Sequence, residues 1–75
     1  MSSIHDPRYR EIIKKLIELR ESKNMTQVQL ATSLKKPQSY VAKVENYERR
    51  LDFIELHDWL KYLDEKITSF LGDSF

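Results

Sequence analysis

Between Pro37 and Asn46 the side chains sort by helical register into two unlike faces. At 3.6 residues per turn, Val41, Val44 and Glu45 share one side, while Gln38, Ser39, Ala42, Lys43 and Asn46 share the other. The second face is short, polar and free of acid, whereas a plain surface helix mixes both signs. A glutamine amide carries one donor and one acceptor side by side, the pair that matches adenine N6 and N7 in a major groove. Lys43, one turn further on, can donate to guanine O6 or N7, or only to a phosphate. The chemistry implied is recognition by hydrogen bonds.

The surrounding charges fit that reading without proving it. Lys35 and Lys36 precede this segment and Arg49 and Arg50 follow it, either as phosphate-neutralising groups or as ordinary solvated loops. The net charge of +1 hides an asymmetry: residues 1–50 hold eleven Lys/Arg against six Asp/Glu, and residues 51–75 hold two against six. A basic front half with an acidic tail suits a polyanion on one side only. Enzyme chemistry has little support. There is no nucleophile–base–acid set and no glycine-rich phosphate loop, and 75 residues enclose a substrate pocket with difficulty. With no cysteine, and with His5 and His57 far apart, neither a disulfide nor a metal site is expected. No cofactor and no small-molecule ligand is expected either. The longest apolar run is Tyr40-Val41-Ala42, so neither a membrane span nor a signal peptide is expected, and the expected location is the cytoplasm.

The elements that must position these groups are helical throughout. One glycine and two prolines leave little turn chemistry for hairpins, and the apolar residues recur at three and four. The first helix opens at Asp6-Pro7, buries Tyr9, Ile12, Ile13, Leu16, Ile17 and Leu19, and ends around Lys23-Asn24, where Asn24 can turn left-handed. Thr26-x-x-Gln29 is a capping box with Met25 and Leu30 as its hydrophobic staple, and that second helix stops at Lys35-Lys36. The third begins at Pro37 or Gln38 and runs to about Asn46. The fourth repeats the start signal with Asp52-x-x-Glu55 and Leu51/Leu56, and its expected buried stripe is Phe53, Leu56, Trp59, Leu60 and Leu63. Ile67, Phe70 and Leu71 then form either a short fifth helix or a continuation of the fourth. All 75 residues form one domain, with a flexible arm over residues 1–5.

Two short helices joined by a turn of three or four residues make a helix-turn-helix, here over about residues 26–46. Thr26-Gln27-x-x-Leu30-Ala31, followed by Lys36-Pro37-Gln38-Ser39-Tyr40-Val41-Ala42-Lys43-Val44-Glu45, resembles the phage-repressor class, the Cro/C1 or XRE family. Glu48-Arg49-Arg50-Leu51-Asp52-x-x-Glu55-Leu56 is similar to one branch of it, and the resemblance covers roughly residues 8–71. It implies an all-α, five-helix, lambda-repressor-like DNA-binding domain. It also implies that Gln38, Ser39 and Lys43 read base edges, and that Gln27 holds a phosphate and braces Gln38. Thr26, Lys36, Tyr40, Asn46, Tyr47, Arg49 and Arg50 then fall where the relatives grip the DNA backbone. Two positions depart from the branch: Ala42 replaces a usual serine, and Tyr47 replaces the glycine that ends the recognition helix. If the backbone at Tyr47 is left-handed it costs roughly 1 kcal/mol, so either the turn differs or the ring has its own task, such as resting on the sugar-phosphate backbone.

Glu45 lies between two core valines, and a buried carboxylate requires a partner. Arg20, late in the first helix, is the candidate, and the family commonly pairs these positions. The aromatic C-terminal part leaves two readings open. Trp59, Tyr62, Ile67, Phe70, Leu71 and Phe75 are either the lid of the core or a homodimer interface centred on residues 65–75, because relatives set two recognition helices about 34 Å apart. The expected function is a sequence-specific, double-stranded-DNA-binding transcriptional regulator of repressor type, a homodimer on a palindromic operator. The alternative is a protein-interaction module, antitoxin-like, that binds a protein partner through its C-terminal half.

Overall fold

Each helix starts and stops for a local reason that the structure makes visible. The computed structural model describes residues 4–72, and among them are five α-helices and no strand. Helix α1 (Pro7–Ser22) begins with Asp6, whose carboxylate accepts the Arg8 N–H at 2.8 Å, and with Pro7 in the first turn. Helix α2 (Gln27–Leu34) carries the full capping box: Gln29 N donates to Thr26 Oγ1 at 3.1 Å and Thr26 N to Gln29 Oε1 at 2.8 Å. Helix α4 (Phe53–Tyr62) repeats it with Asp52 and Glu55 at 2.7 and 3.0 Å. Helices α3 (Gln38–Glu45) and α5 (Ile67–Gly72) complete the chain.

The ends are uniform. Asn24, Lys35, Tyr47 and Asp64 each adopt a left-handed conformation just beyond a helix, with φ between 56° and 61°. At each of them the next residue's N–H reaches back over the turn: Met25 to the Arg20 carbonyl, Lys36 to Ala31, Glu48 to Lys43 and Glu65 to Leu60, at 2.8–3.2 Å. These six-to-one bonds satisfy carbonyls that the helix leaves over, an arrangement that usually employs glycine at the left-handed position. Here none of the four residues is glycine. The break at Asp64 also settles that α4 and α5 are separate helices.

The core sits where α2 and α3 pack on α1 and α4. Ile13, Leu16, Leu30, Val41, Val44, Trp59, Leu60 and Leu63 are almost wholly excluded from water. Trp59 is central, 0% exposed, with its indole N–H donating to Tyr40 Oη at 3.1 Å and the two rings edge to face at 6.1 Å. Helix α5 is held to α1 by Phe70, which is buried, and by Lys15 Nζ donating to the Phe70 carbonyl at 2.7 Å.

Three expectations about burial are corrected here. Phe53 is 64% exposed: as the first residue of α4 it stands at the helix end, with no preceding helical turn to cover it. It borders a shallow apolar groove of about 130 Å³ with Tyr9, Ile12, Leu51 and Leu56. Trp59 and Phe70 point into the domain's own core, so neither is available as an interface residue. Residues 1–3 of the expected arm, and Phe75, lie outside the described residues. Ile4 and His5 are held by Arg10, whose Nε donates to the Ile4 carbonyl at 3.1 Å while Nη2 lies 3.1 Å from His5 Nδ1. Among the described residues no helix is long and apolar enough to cross a membrane.

Tyr47 is left-handed, at φ 61°, and its ring lies under the Arg10 guanidinium at 4.5 Å. Part of the ring is therefore already occupied within the protein. The strain leads to a prediction that reverses the usual ranking. In urea denaturation Tyr47→Gly is expected to be more stable than Tyr47→Ala by about 0.5–1 kcal/mol, since only alanine keeps the left-handed penalty after both lose the ring. An alanine variant as stable as the glycine variant would show that the turn is unstrained.

Candidate nucleic-acid interface

The turn Lys35-Lys36-Pro37 sets α3 across α2, and the packing of Val41 and Val44 into the core fixes which side of α3 faces out. Gln38, Ser39, Lys43 and Asn46 are exposed, Ala42 is half-buried, and the helix's one acid, Glu45, is turned inward. The outer face thus presents an amide, a hydroxyl and an ammonium group without a carboxylate. Pro37, the N-cap of α3, makes no side-chain cap bond, and of the first-turn N–H groups that of Tyr40 donates to the Pro37 carbonyl at 3.0 Å.

Behind this face runs a continuous polar chain. Arg20 and Glu45, 9% and 7% exposed, form a two-pronged ion pair: Nε to Oε2 at 2.8 Å and Nη2 to Oε1 at 3.0 Å. Arg20 Nη1 also donates to the Met25 carbonyl at 2.7 Å, joining α1 to the start of α2. Gln27 Nε2 donates to Glu45 Oε1 at 2.8 Å, and Gln38 Nε2 donates to Gln27 Oε1 at 2.7 Å. The chain therefore reaches from the core to the first residue of α3. Among the described residues, every buried side-chain nitrogen and oxygen has a partner.

A second network holds the segment after α3. Arg49 Nη2 donates to Glu55 Oε2 at 2.9 Å, Nη1 to Glu55 Oε1 at 3.2 Å and to the Arg50 carbonyl at 2.8 Å. Its guanidinium lies 4.7 Å from the centre of the Tyr40 ring, and Tyr40 Oη donates to Glu55 Oε2 at 3.3 Å. Burial pushes the Glu55 carboxyl upward, but its hydrogen bonds from Arg49 and Asp52 and the Arg49 charge outweigh this and leave it below its ordinary value. The Glu55 bond raises Arg49 correspondingly. Tyr9 closes the segment from the other side, donating to the Arg49 carbonyl at 3.4 Å and accepting the Leu51 N–H at 3.0 Å.

These placements divide the residues expected to grip a backbone. Lys36, Asn46 and Arg50 are exposed beside α3, as is Thr26, whose oxygen already serves the α2 cap. Gln27 and Tyr47 are half-buried. Arg49 is committed to Glu55, and Tyr40 is a correction: it is 9% exposed, with its hydroxyl bound between Trp59 and Glu55. A large ring one turn into α3 packs inward because the adjacent face of α4 offers both an indole donor and a carboxylate acceptor. Sequence reasoning read Glu55 only as a cap and Tyr9 only as a core residue, and did not single out Arg10. Spacing carries no signal for these long-range roles, since each depends on how α1 and α4 pass the loop.

A helix with an acid-free outer face, set by a short turn across a capped helix of the same length, defines a helix-turn-helix nucleic-acid interface. Comparison with known proteins agrees. A family model described as "Helix-turn-helix" matches residues 16–70. Among solved structures, an "XRE-family like protein from Pseudomonas syringae pv. tomato str. DC3000" superposes with a TM-score of 0.89 at 39% identity, over 95% of this chain and 87% of that one. No curated protein matches. The chain belongs to the XRE family of helix-turn-helix proteins, a family of DNA-binding regulators and not of enzymes.

Proposed function

We propose that this protein is a sequence-specific transcriptional regulator of Cro/C1 type, a repressor that binds a palindromic operator as a homodimer. The observation that carries the proposal is the outer face of α3. Gln38 stands at its start, held by Gln27, with Ser39 and Lys43 beside it and no acid exposed along the helix. Gln38, Ser39 and Lys43 read bases, while Lys36, Asn46, Arg50 and the α3 first-turn N–H groups fix register on phosphates. A surface specialised for a protein partner would present apolar or acidic groups at this position. Of the exposed large apolar side chains, Val28 lies on α2 and Phe53, Ile54 and Tyr62 lie on α4, none of them on α3; Tyr62 with half-buried Ile67 and Leu71 supplies the surface for a second copy.

The test is selection of bound sequences from random duplex DNA, with the protein's mass in solution measured alongside. A two-fold-related enriched motif and a dimeric mass are expected; absence of any enriched motif overturns the regulator reading. Within that experiment Gln38→Ala should relax preference at one base position per half-site, losing about 1–3 kcal/mol of discrimination. An unchanged motif with Gln38→Ala would remove Gln38 from the reading face.

A further inference from the structure

We propose that Glu45, a core residue that faces no DNA, is a positioning residue that sets which end of the Gln38 amide points outward, and so favours adenine over guanine at the base Gln38 reads. The inference rests on α3 being the reading helix and adds what decides its choice.

A glutamine amide can face a neighbour in two ways, offering either its NH₂ group or its oxygen, and nothing in its shape decides between them. A carboxylate has no such freedom, since ionised it only accepts. Both Glu45 oxygens accept from the Arg20 guanidinium, and Oε1 also faces Gln27, so the side of Glu45 turned to Gln27 is an acceptor. Gln27 must therefore turn its NH₂ group to Glu45, at 2.8 Å, which leaves its oxygen toward Gln38. Gln38 must then turn its own NH₂ group to Gln27, at 2.7 Å. The charge in the core fixes one amide, and that amide fixes the next.

The consequence lies in what Gln38 has left. One of its N–H groups is taken by Gln27, so it shows the groove its oxygen and one remaining N–H. An acceptor beside a donor matches adenine, which offers N6–H and N7. With the opposite polarity the Gln38 oxygen would be tied to Gln27 and two N–H groups would face out, matching the paired acceptors O6 and N7 of guanine. The buried ion pair thus does more than join α1 to α3; it supplies the sign of the reading amide.

The experiment uses the full chain and two variants. Gln27→Met interrupts the relay and leaves Arg20–Glu45 intact, so it remains informative if Glu45→Gln unfolds. In the free protein, the Gln38 side-chain amide resonances should be shifted from those of a solvated glutamine and should revert in Gln27→Met. Wild-type resonances already at solvated values overturn the relay whether or not DNA is bound. With duplexes varied at the base pair that Gln38→Ala makes indifferent, wild type should prefer adenine over guanine by about tenfold. Gln27→Met, and Glu45→Gln where it folds, should bring that ratio to within about twofold, whatever they do to overall affinity. A variant that binds DNA with the wild-type adenine preference overturns the inference and leaves the regulator reading standing; failure of every form to bind any duplex overturns both.

Discussion

Glu45→Ala is expected to leave the domain largely unfolded near its growth temperature. The substitution strands Arg20, 9% exposed, with one of its three bonds, that to the Met25 carbonyl. Removing one member of a buried pair costs about 3–5 kcal/mol, because the other charge stays desolvated and uncompensated. A chain of this size has about 5 kcal/mol or little more to lose. The melting temperature should fall by on the order of 20 °C, given roughly 4–8 °C per kcal/mol for a domain of this length. The pair is a requirement of consistency rather than a source of net stability. Arg20→Met with Glu45→Leu, which removes both charges and keeps the volume, should recover most of the loss. A Glu45→Ala protein melting within a few degrees of wild type would show that the arginine escapes to solvent.

The second large effect concerns salt. If a homodimer neutralises about four phosphates through Lys36 and Arg50 in each copy, operator affinity should fall on the order of a hundredfold between roughly 50 and 200 mM salt. Arg50→Ala should weaken binding to all sequences alike and reduce the slope of log affinity against log salt by about one per contact removed in each copy. Gln38→Ala should leave that slope unchanged while altering the motif. Arg49→Ala separates structure from contact: its guanidinium is engaged with Glu55, so its loss should lower stability before it changes the slope. Fluorescence titrations at several salt concentrations read all of these. A slope near zero for the wild type would exclude phosphate contacts as the main term in affinity.

The helix starts were legible in the sequence because they are written in side chains a few residues apart. Thr26 with Gln29, and Asp52 with Glu55, close their boxes through bonds that need no tertiary partner. Glu45 was legible for a different reason: a carboxylate in register with two valines states that it is buried, and the family resemblance pointed to Arg20, late in α1, as its partner. Faces were read less well than periods. Phe53 and Trp59 both belong to the apolar pattern of α4, yet one is 64% exposed and the other 0%. The period gives the direction of a side chain around its helix, but whether a neighbouring element covers it is decided by the tertiary packing. Tyr40 was misplaced because an amphipathic ring satisfies either a phosphate or an indole, and only the packing of α4 supplies the indole. Arg49 has in Glu55 a further partner that the sequence shows only as part of the next cap.

The four left-handed residues that end α1 to α4 bear on how long each molecule lasts in the cell. Asparagine and aspartate accept that conformation with the least strain, whereas Lys35 and Tyr47 bear more of it. At Lys35 and Tyr47 glycine would remove roughly 1 kcal/mol or more and return about half through the greater freedom of the unfolded chain. The chain holds one glycine and spends it at Gly72, so its folding equilibrium sits nearer the threshold than its backbone requires. For a domain in that position, losses of 1–2 kcal/mol raise the unfolded fraction enough to change steady-state abundance several-fold through proteolysis. Turnover, set in part at four helix ends, then governs how much regulator is present to occupy its site.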